Sequence, residues 1–514
     1  MDNGFAQDSY TIEQKGVDWQ PFEEYGFSSP WAPRLRRASI ATNYLLSTLI
    51  TVIVAIIFAS LSEQCQHWCL IPLILCGVLA CADIVAWFRK EIDIFDPKSF
   101  IAAFLYLNCF LAPLLHLRYN IYGQTLYIDD WPAWFGYMAC FNAAGIILLK
   151  LGQRIAFKRS RPAKSFRSIE SGRFLGIAVV LLAISLAANA VIRIFFGGLV
   201  REVGQMQWTA AAEAYAYHLS WIMMLADPAG LLMVMIIVYW IYSRNPDKTR
   251  SMVVVGLILF LAALWQLYFF GFRGSRSAIL VPIVMFTAII HYRLRPVSIK
   301  FMILGICVAF IFVHLYDFYK KLGIRGFEAF YSKEARESMA YERRTTLLTT
   351  LTGDLARADL QAYMLYRLKT HGGEYQYTWG GTYAMAVLTF IPRAIWRNKP
   401  NPKPFAGALL LTGQKVHSTR VFGLAGEGML NFGYYGIVPP FFVVGLMLGW
   451  FRKKIATMEP YDARFFLIPV LLMLFQGTIV GDMGLWVYGT LRLGMLPFVL
   501  VYFSSTRTAF ADKD

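Results

Sequence analysis

The chain predicts an all-α polytopic integral membrane protein of about twelve spans, and three observations carry that reading. Of its 514 residues 57% are hydrophobic and 16% charged, with mean hydropathy +0.49, far too apolar for a soluble globular protein. Apolar runs of roughly 18 to 25 residues recur from Ser39 almost to the end of the sequence. Basic residues gather between these runs on alternate loops.

Residues 1–38 are polar and mixed in charge, without the basic start, apolar core and cleavage pattern of a signal peptide, and predict a cytoplasmic tail. Nine apolar runs follow within 39–318: 39–61, 69–88, 100–115, 131–151, 174–196, 221–242, 252–272, 277–292 and 301–318. Residues 319–428 lose continuous hydrophobicity and predict one large loop, too long for a passive connector. A helical stretch is expected there over 327–368, and a short interfacial or re-entrant piece over 383–391. Three more runs, 429–450, 465–480 and 486–503, lie within 429–505, and 506–514 form a second tail.

Orientation follows from the short loops. Arg34, Arg36 and Arg37 precede the first run, and Arg89, Lys90 and Lys98 follow the second. Arg154 to Arg173 follow the fourth, Arg244 to Arg250 the sixth, Arg293 to Lys300 the eighth, and Arg452 to Lys454 the tenth. The positive-inside rule places all of these, and both termini, in the cytoplasm, with the large loop outside. The net charge of +17 then belongs to loops that meet anionic lipid, and nucleic-acid binding is set aside.

Seven cysteines sit mostly inside apolar runs, where they act as small hydrophobes. Cys65 and Cys69 flank His67 on an outer loop; a disulfide or a metal site is the sharper reading, but a fourth ligand is missing and no metal site is expected. Asp83 and Asp227, in or near spans, are expected to be paired within the bundle. Neither a P-loop nor a Rossmann fingerprint appears, and HExxH and GxSxG are absent.

The outer side carries a constellation that breaks the charge pattern. "GFRGSRSAIL" places Arg273 and Arg276 in a short outer loop, "FIPRAIWRNKPNPKP" adds Arg393, Arg397, Lys399 and Lys403, and "HSTRVFGLAGEGMLNFGYYG" adds His417, Arg420, Glu427 and Asn431. Guanidinium groups are fixed, always charged, bidentate donors suited to phosphate oxygens, and glycines beside them permit close backbone approach. Recognition of a diphosphate is the chemistry this predicts. The plainer readings are headgroup snorkelling for Arg273 and Arg276, an interfacial anchor for Arg393 to Lys403, a salt-bridge partner for Glu427 and an ordinary loop histidine for His417.

"RGSRS" on a short outer loop, "IPRAIWRNKP" late in a large loop, and "GEGMLNFGYYGIVPPFFVVGLMLG" leading into the next span resemble the bacterial oligosaccharide repeat unit polymerase family, the Wzy-type O-antigen and exopolysaccharide polymerases. The likeness covers about half the chain, 254–503, the first two hundred residues matching only in being spans. It implies a GT-C-like membrane glycosyltransferase of the bacterial inner membrane, with its active site facing the periplasm, working without a metal or other cofactor. Undecaprenyl diphosphate-linked repeat units would be donor and acceptor, and a flippase and a chain-length regulator would be partners beside the bilayer.

Under that resemblance Arg273 and Arg276, with Arg393 and Arg420, would bind the donor diphosphate; Arg397 and Lys399 would contribute to substrate binding. Glu427 is the first candidate for the general base and His417 the second. Asn431, Tyr375, Tyr377 and Tyr383 would meet sugar hydroxyls and pyranose faces. Two alternatives remain open: an O-antigen ligase using the same donor on a lipid A core, and a lipid-linked oligosaccharide flippase or other transporter.

Overall fold

A computed structural model describes residues 39–122, 126–157, 165–196, 221–244, 251–270, 277–322, 331–334, 337, 348, 350–371, 375–388, 391, 396, 410, 422–458, 462–477 and 479–509. In chain order the helices are α1 Ile40–Ser60, α2 Leu70–Phe88, α3 Pro97–Tyr119, α4 Trp131–Phe157, α5 Ser171–Phe196, α6 Trp221–Ser243, α7 Met252–Phe270, α8 Ser277–Arg293 and α9 Ile299–Leu322. They continue with α10 Ala358–His371, α11 Gly381–Val387, α12 Gly423–Phe432, α13 Pro439–Ala456, α14 Ile468–Gln476 and α15 Met483–Phe503. Among the described residues nine of these, α1 to α7, α9 and α15, are long and apolar enough to cross a membrane singly. The chain is therefore an all-α polytopic membrane protein.

Local sequence starts these helices where capping chemistry predicts. Ser39 accepts from the Thr42 amide ahead of α1, Asp96 accepts from the Lys98 amide with Pro97 in the first turn of α3, and Asp482 accepts from the Leu485 amide ahead of α15. Within α3 a π turn at Leu107–Leu111 bulges the backbone. It turns Asn108 toward the large loop, where the Asn108 side chain accepts from the Arg357 amide at 2.6 Å and donates to Gln361 at 3.2 Å.

The tightest helix pair is α4 with α13. A Cβ on Gly445 would lie 2.2 Å from the Leu149 carbonyl oxygen, and one on Gly449 2.5 Å from that of Gln153. The stretch "GLMLG" thus lets two backbones touch, the small-residue solution for helices that cannot rely on hydrophobic contrast within lipid.

Polar links knit each end of the bundle separately. At one end Asp83 pairs with Lys98 at 2.8 Å and Lys150 at 2.7 Å, Arg89 with Glu91 at 3.1 Å, Arg452 with Asp96 at 2.8 Å, and His291 with Asp93 at 3.2 Å. Strand β1 Ser165–Ile169 pairs antiparallel with β2 Ser505–Ala509 at the same end, Arg167 opposite Arg507. At the other end Gln64 accepts from Tyr122, Asn189 donates to the Ala226 carbonyl, and Arg193 donates to Tyr268. Asp227 is paired with Arg492 of α15, so both intramembrane aspartates have the partners their cost in lipid demands.

Three expected spans differ from their reading. The run 429–450 is not one straight helix: α12 and α13 meet at a bend of 119°. The cause is local. Gly433 closes α12 at φ +61°, a short 3-10 turn covers Gly433–Gly436, and Pro439 opens α13. Gly428 and Gly436 pass so close that a Cβ on Gly428 would lie 1.9 Å from the Gly436 carbonyl oxygen. The runs 277–292 and 465–480 give α8 and α14, of 17 and 9 residues, shorter than an ordinary span. Gly477 ends α14, and Gly481 precedes the next helix. Cys65 and Cys69 are both buried and free, without a disulfide between them.

Candidate functional site

The described part of the candidate site is built where α11, α12 and α15 meet. Residues 422–431 are buried throughout, Glu427 1% and Asn431 0% exposed. A carboxylate taken that far out of water is costly unless hydrogen bonds replace its solvation. Glu427 Oε1 accepts from the Thr382 hydroxyl at 2.9 Å, and Oε2 accepts from the Met483 amide at 2.7 Å. Met483 is the first residue of α15, so the charge also sits at a helix N-terminus, where the macrodipole favours an anion.

Asn431 completes the frame from one turn further along α12. Its amide nitrogen donates to the Glu427 carbonyl at 2.8 Å and to Thr382 Oγ1 at 2.6 Å, while Oδ1 accepts from the Thr378 hydroxyl at 2.8 Å. The last carbonyls of α12, which lack partners within the helix, are met by the preceding loop. Leu430 accepts from the Thr378 amide at 3.2 Å and the Tyr375 hydroxyl at 3.0 Å, and Asn431 accepts from the Trp379 amide at 3.1 Å. Gly433 at the helix end leaves room for Tyr377, whose hydroxyl would lie 2.9 Å from a Cβ there.

This geometry brings Glu427 and Asn431 together, with each Glu427 oxygen accepting a hydrogen bond from the chain itself. The arrangement locks the loop at 375–382 onto α12 and the start of α15, a framing task. Both Glu427 oxygens accept from donors of the frame. Burial, then the Glu427 charge, push the Tyr383 phenol well above its ordinary value.

No family model, curated protein or solved structure matches the chain.

Of the other sequence-predicted site residues, Arg273, Arg276, Arg393, Arg397, Lys399, Lys403, His417 and Arg420 lie outside the described residues. Sequence reading missed Thr378, Thr382 and the Met483 amide. The only available signal was Asp482 as a cap, which marks the α15 start; nothing local marks Thr382 as the partner of a glutamate on another element. Among the described residues no cluster of three or more His, Cys, Asp or Glu has metal-binding proximity.

Proposed function

We propose that the protein polymerises undecaprenyl diphosphate-linked oligosaccharide repeat units at the periplasmic face of the bacterial inner membrane, in O-antigen or exopolysaccharide biosynthesis. On this reading twelve passages cross the membrane, the bend between α12 and α13 and the short α8 and α14 included, and both termini are cytoplasmic. One observation supports it: Glu427 meets the Met483 amide at the start of α15, while the far end of α15 runs into β2 and its pairing with β1. In sequence, the arginine-bearing stretches adjoin described helices. Residues 271–276 join α7 to α8, 392–400 follow α11, and 411–421 lead into α12.

Arg273, Arg276, Arg393 and Arg420 hold the donor diphosphate and stabilise the charge that develops as the glycosidic C–O bond breaks. Arg397 and Lys399 add charge to the same approach. Glu427 and Asn431 fix the loop at 375–382 onto α12 and the start of α15. Deprotonation of the acceptor hydroxyl falls to a group with access to substrate, His417 being a candidate on the stretch that enters α12. The growing glycan leaves its lipid diphosphate and passes to the non-reducing end of the next lipid-linked repeat.

Deletion of the gene followed by gel profiling of surface polysaccharide tests the reading. Loss of the ladder with retention of a single-repeat band is expected. A profile with no repeat at all on the lipid A core would instead favour a ligase, and an unchanged profile would remove the assignment for that polymer.

A further inference from the structure

Beside the Glu427 frame runs a row of aromatic rings that starts at Tyr377, packed against the core, and runs outward to the exposed Trp379. Tyr377 and Trp379 lie 5.9 Å apart between ring centroids, Trp379 and Phe432 6.2 Å, and Tyr383 stacks on Phe432 at 6.5 Å. Trp379 is 75% exposed and Phe432 37%. An indole that far from the core gains little from burial. Its backbone is also costly: Trp379 sits at φ +47°, a region bulky residues avoid, and Gly380 follows at +84°.

The strained turn is fixed from behind by the Trp379 amide on the Asn431 carbonyl and by Thr378 on both Leu430 and Asn431. The rings therefore form a rigid shelf. At its inner edge the Tyr383 hydroxyl is buried with no hydrogen-bond partner among the described residues, and the Tyr434 hydroxyl is in the same condition. Buried donors without partners are expensive and point to a ligand that satisfies them.

We propose that Tyr377, Trp379, Phe432 and Tyr383 form a glycan-binding shelf that stacks the pyranose rings of the acceptor, with the Tyr383 and Tyr434 hydroxyls meeting sugar hydroxyls; the acceptor assignment rests on the polymerase reading. The C–H face of a pyranose carries a small positive charge that matches the negative face of an aromatic ring. The competing occupant is the membrane interface, where Trp and Tyr form belts. A belt needs neither a hydrogen-bonded backing, nor a strained backbone, nor buried unpartnered donors, and the shelf has all three.

The test uses the purified full chain in nanodiscs and, as probe, the oligosaccharide released by mild acid from the host's lipid-linked repeats. Titration by saturation-transfer NMR is expected to give saturable binding. Trp379→Ala weakens it roughly tenfold and Trp379→Phe restores most of the loss, with thermal unfolding unchanged in both. Brominated phospholipid in the nanodisc leaves the fluorescence difference between the native chain and Trp379→Phe unquenched. Equal affinity in native chain and Trp379→Ala, absence of binding to the native chain, or quenching by the brominated lipid would each overturn the shelf. Its failure is separable from that of the polymerase reading: a deletion strain with unchanged polysaccharide removes the latter whatever the binding shows, and a lost ladder with Trp379-independent binding removes only the shelf.

Discussion

At the scale of single residues, the account turns on how buried charge is compensated. Glu427 accepts from the Thr382 hydroxyl and the Met483 amide, so Glu427→Ala removes the acceptor of both and is expected to cost about 1–3 kcal/mol. Thermal unfolding of the detergent-solubilised protein measures this, and a variant as stable as the native chain would remove the framing role. The Asp227–Arg492 pair gives a sharper contrast. Asp227→Asn or Arg492→Met alone is expected to destabilise by about 3–5 kcal/mol, while the double variant recovers most of the loss, because removing one partner leaves a charge unpaired in an apolar setting. Additive losses in the double variant would contradict that. Sequence made the need for pairing legible, since an aspartate within an apolar run cannot stay alone; it could not supply Arg492 or Lys150, because the partners lie on other helices.

At the scale of elements, close backbone approach decides more than hydropathy. Gly445→Leu would drive a side chain into the Leu149 backbone on α4. It is expected to abolish the monodisperse folded peak in fluorescence-detected size exclusion, whereas Val443→Ala, at an exposed position of α13, should leave the peak in place. The bend between α12 and α13 shows where the sequence misled. Hydropathy averages across 429–450 and sees one span, while Gly433 at positive φ and the two prolines beyond it redirect the chain. The glycine and proline pattern was visible; that Gly428 and Gly436 touch was not, because contact at that range depends on the turn actually formed.

At the scale of the molecule, sidedness links the fold to the chemistry. The β1–β2 ribbon fixes the loop before α5 and the tail after α15 at one end, beside the ion pairs of Asp83, Asp96 and Asp93. A fluorescent protein fused after residue 514 is expected to fluoresce, and alkaline phosphatase fused there to be inactive; the reverse would invert the proposed orientation. Alternation of basic loops was legible because it needs only charge and order along the chain. Glu427 and Asn431 were legible as residue types, while the arginines proposed beside them lie outside the described residues. The use of Glu427 and Asn431 as a frame was not legible, since it depends on Thr382 and the start of α15 arriving from elsewhere in the chain.

The most direct measurement of the central claim is reconstitution. The purified full chain in proteoliposomes, supplied with the host's undecaprenyl diphosphate-linked repeats and no other enzyme, should convert them to a ladder of longer lipid-linked glycans, and Arg273→Ala should not. Repeats that stay single in the presence of a folded native chain would contradict the account, as would an Arg273→Ala variant that builds the same ladder.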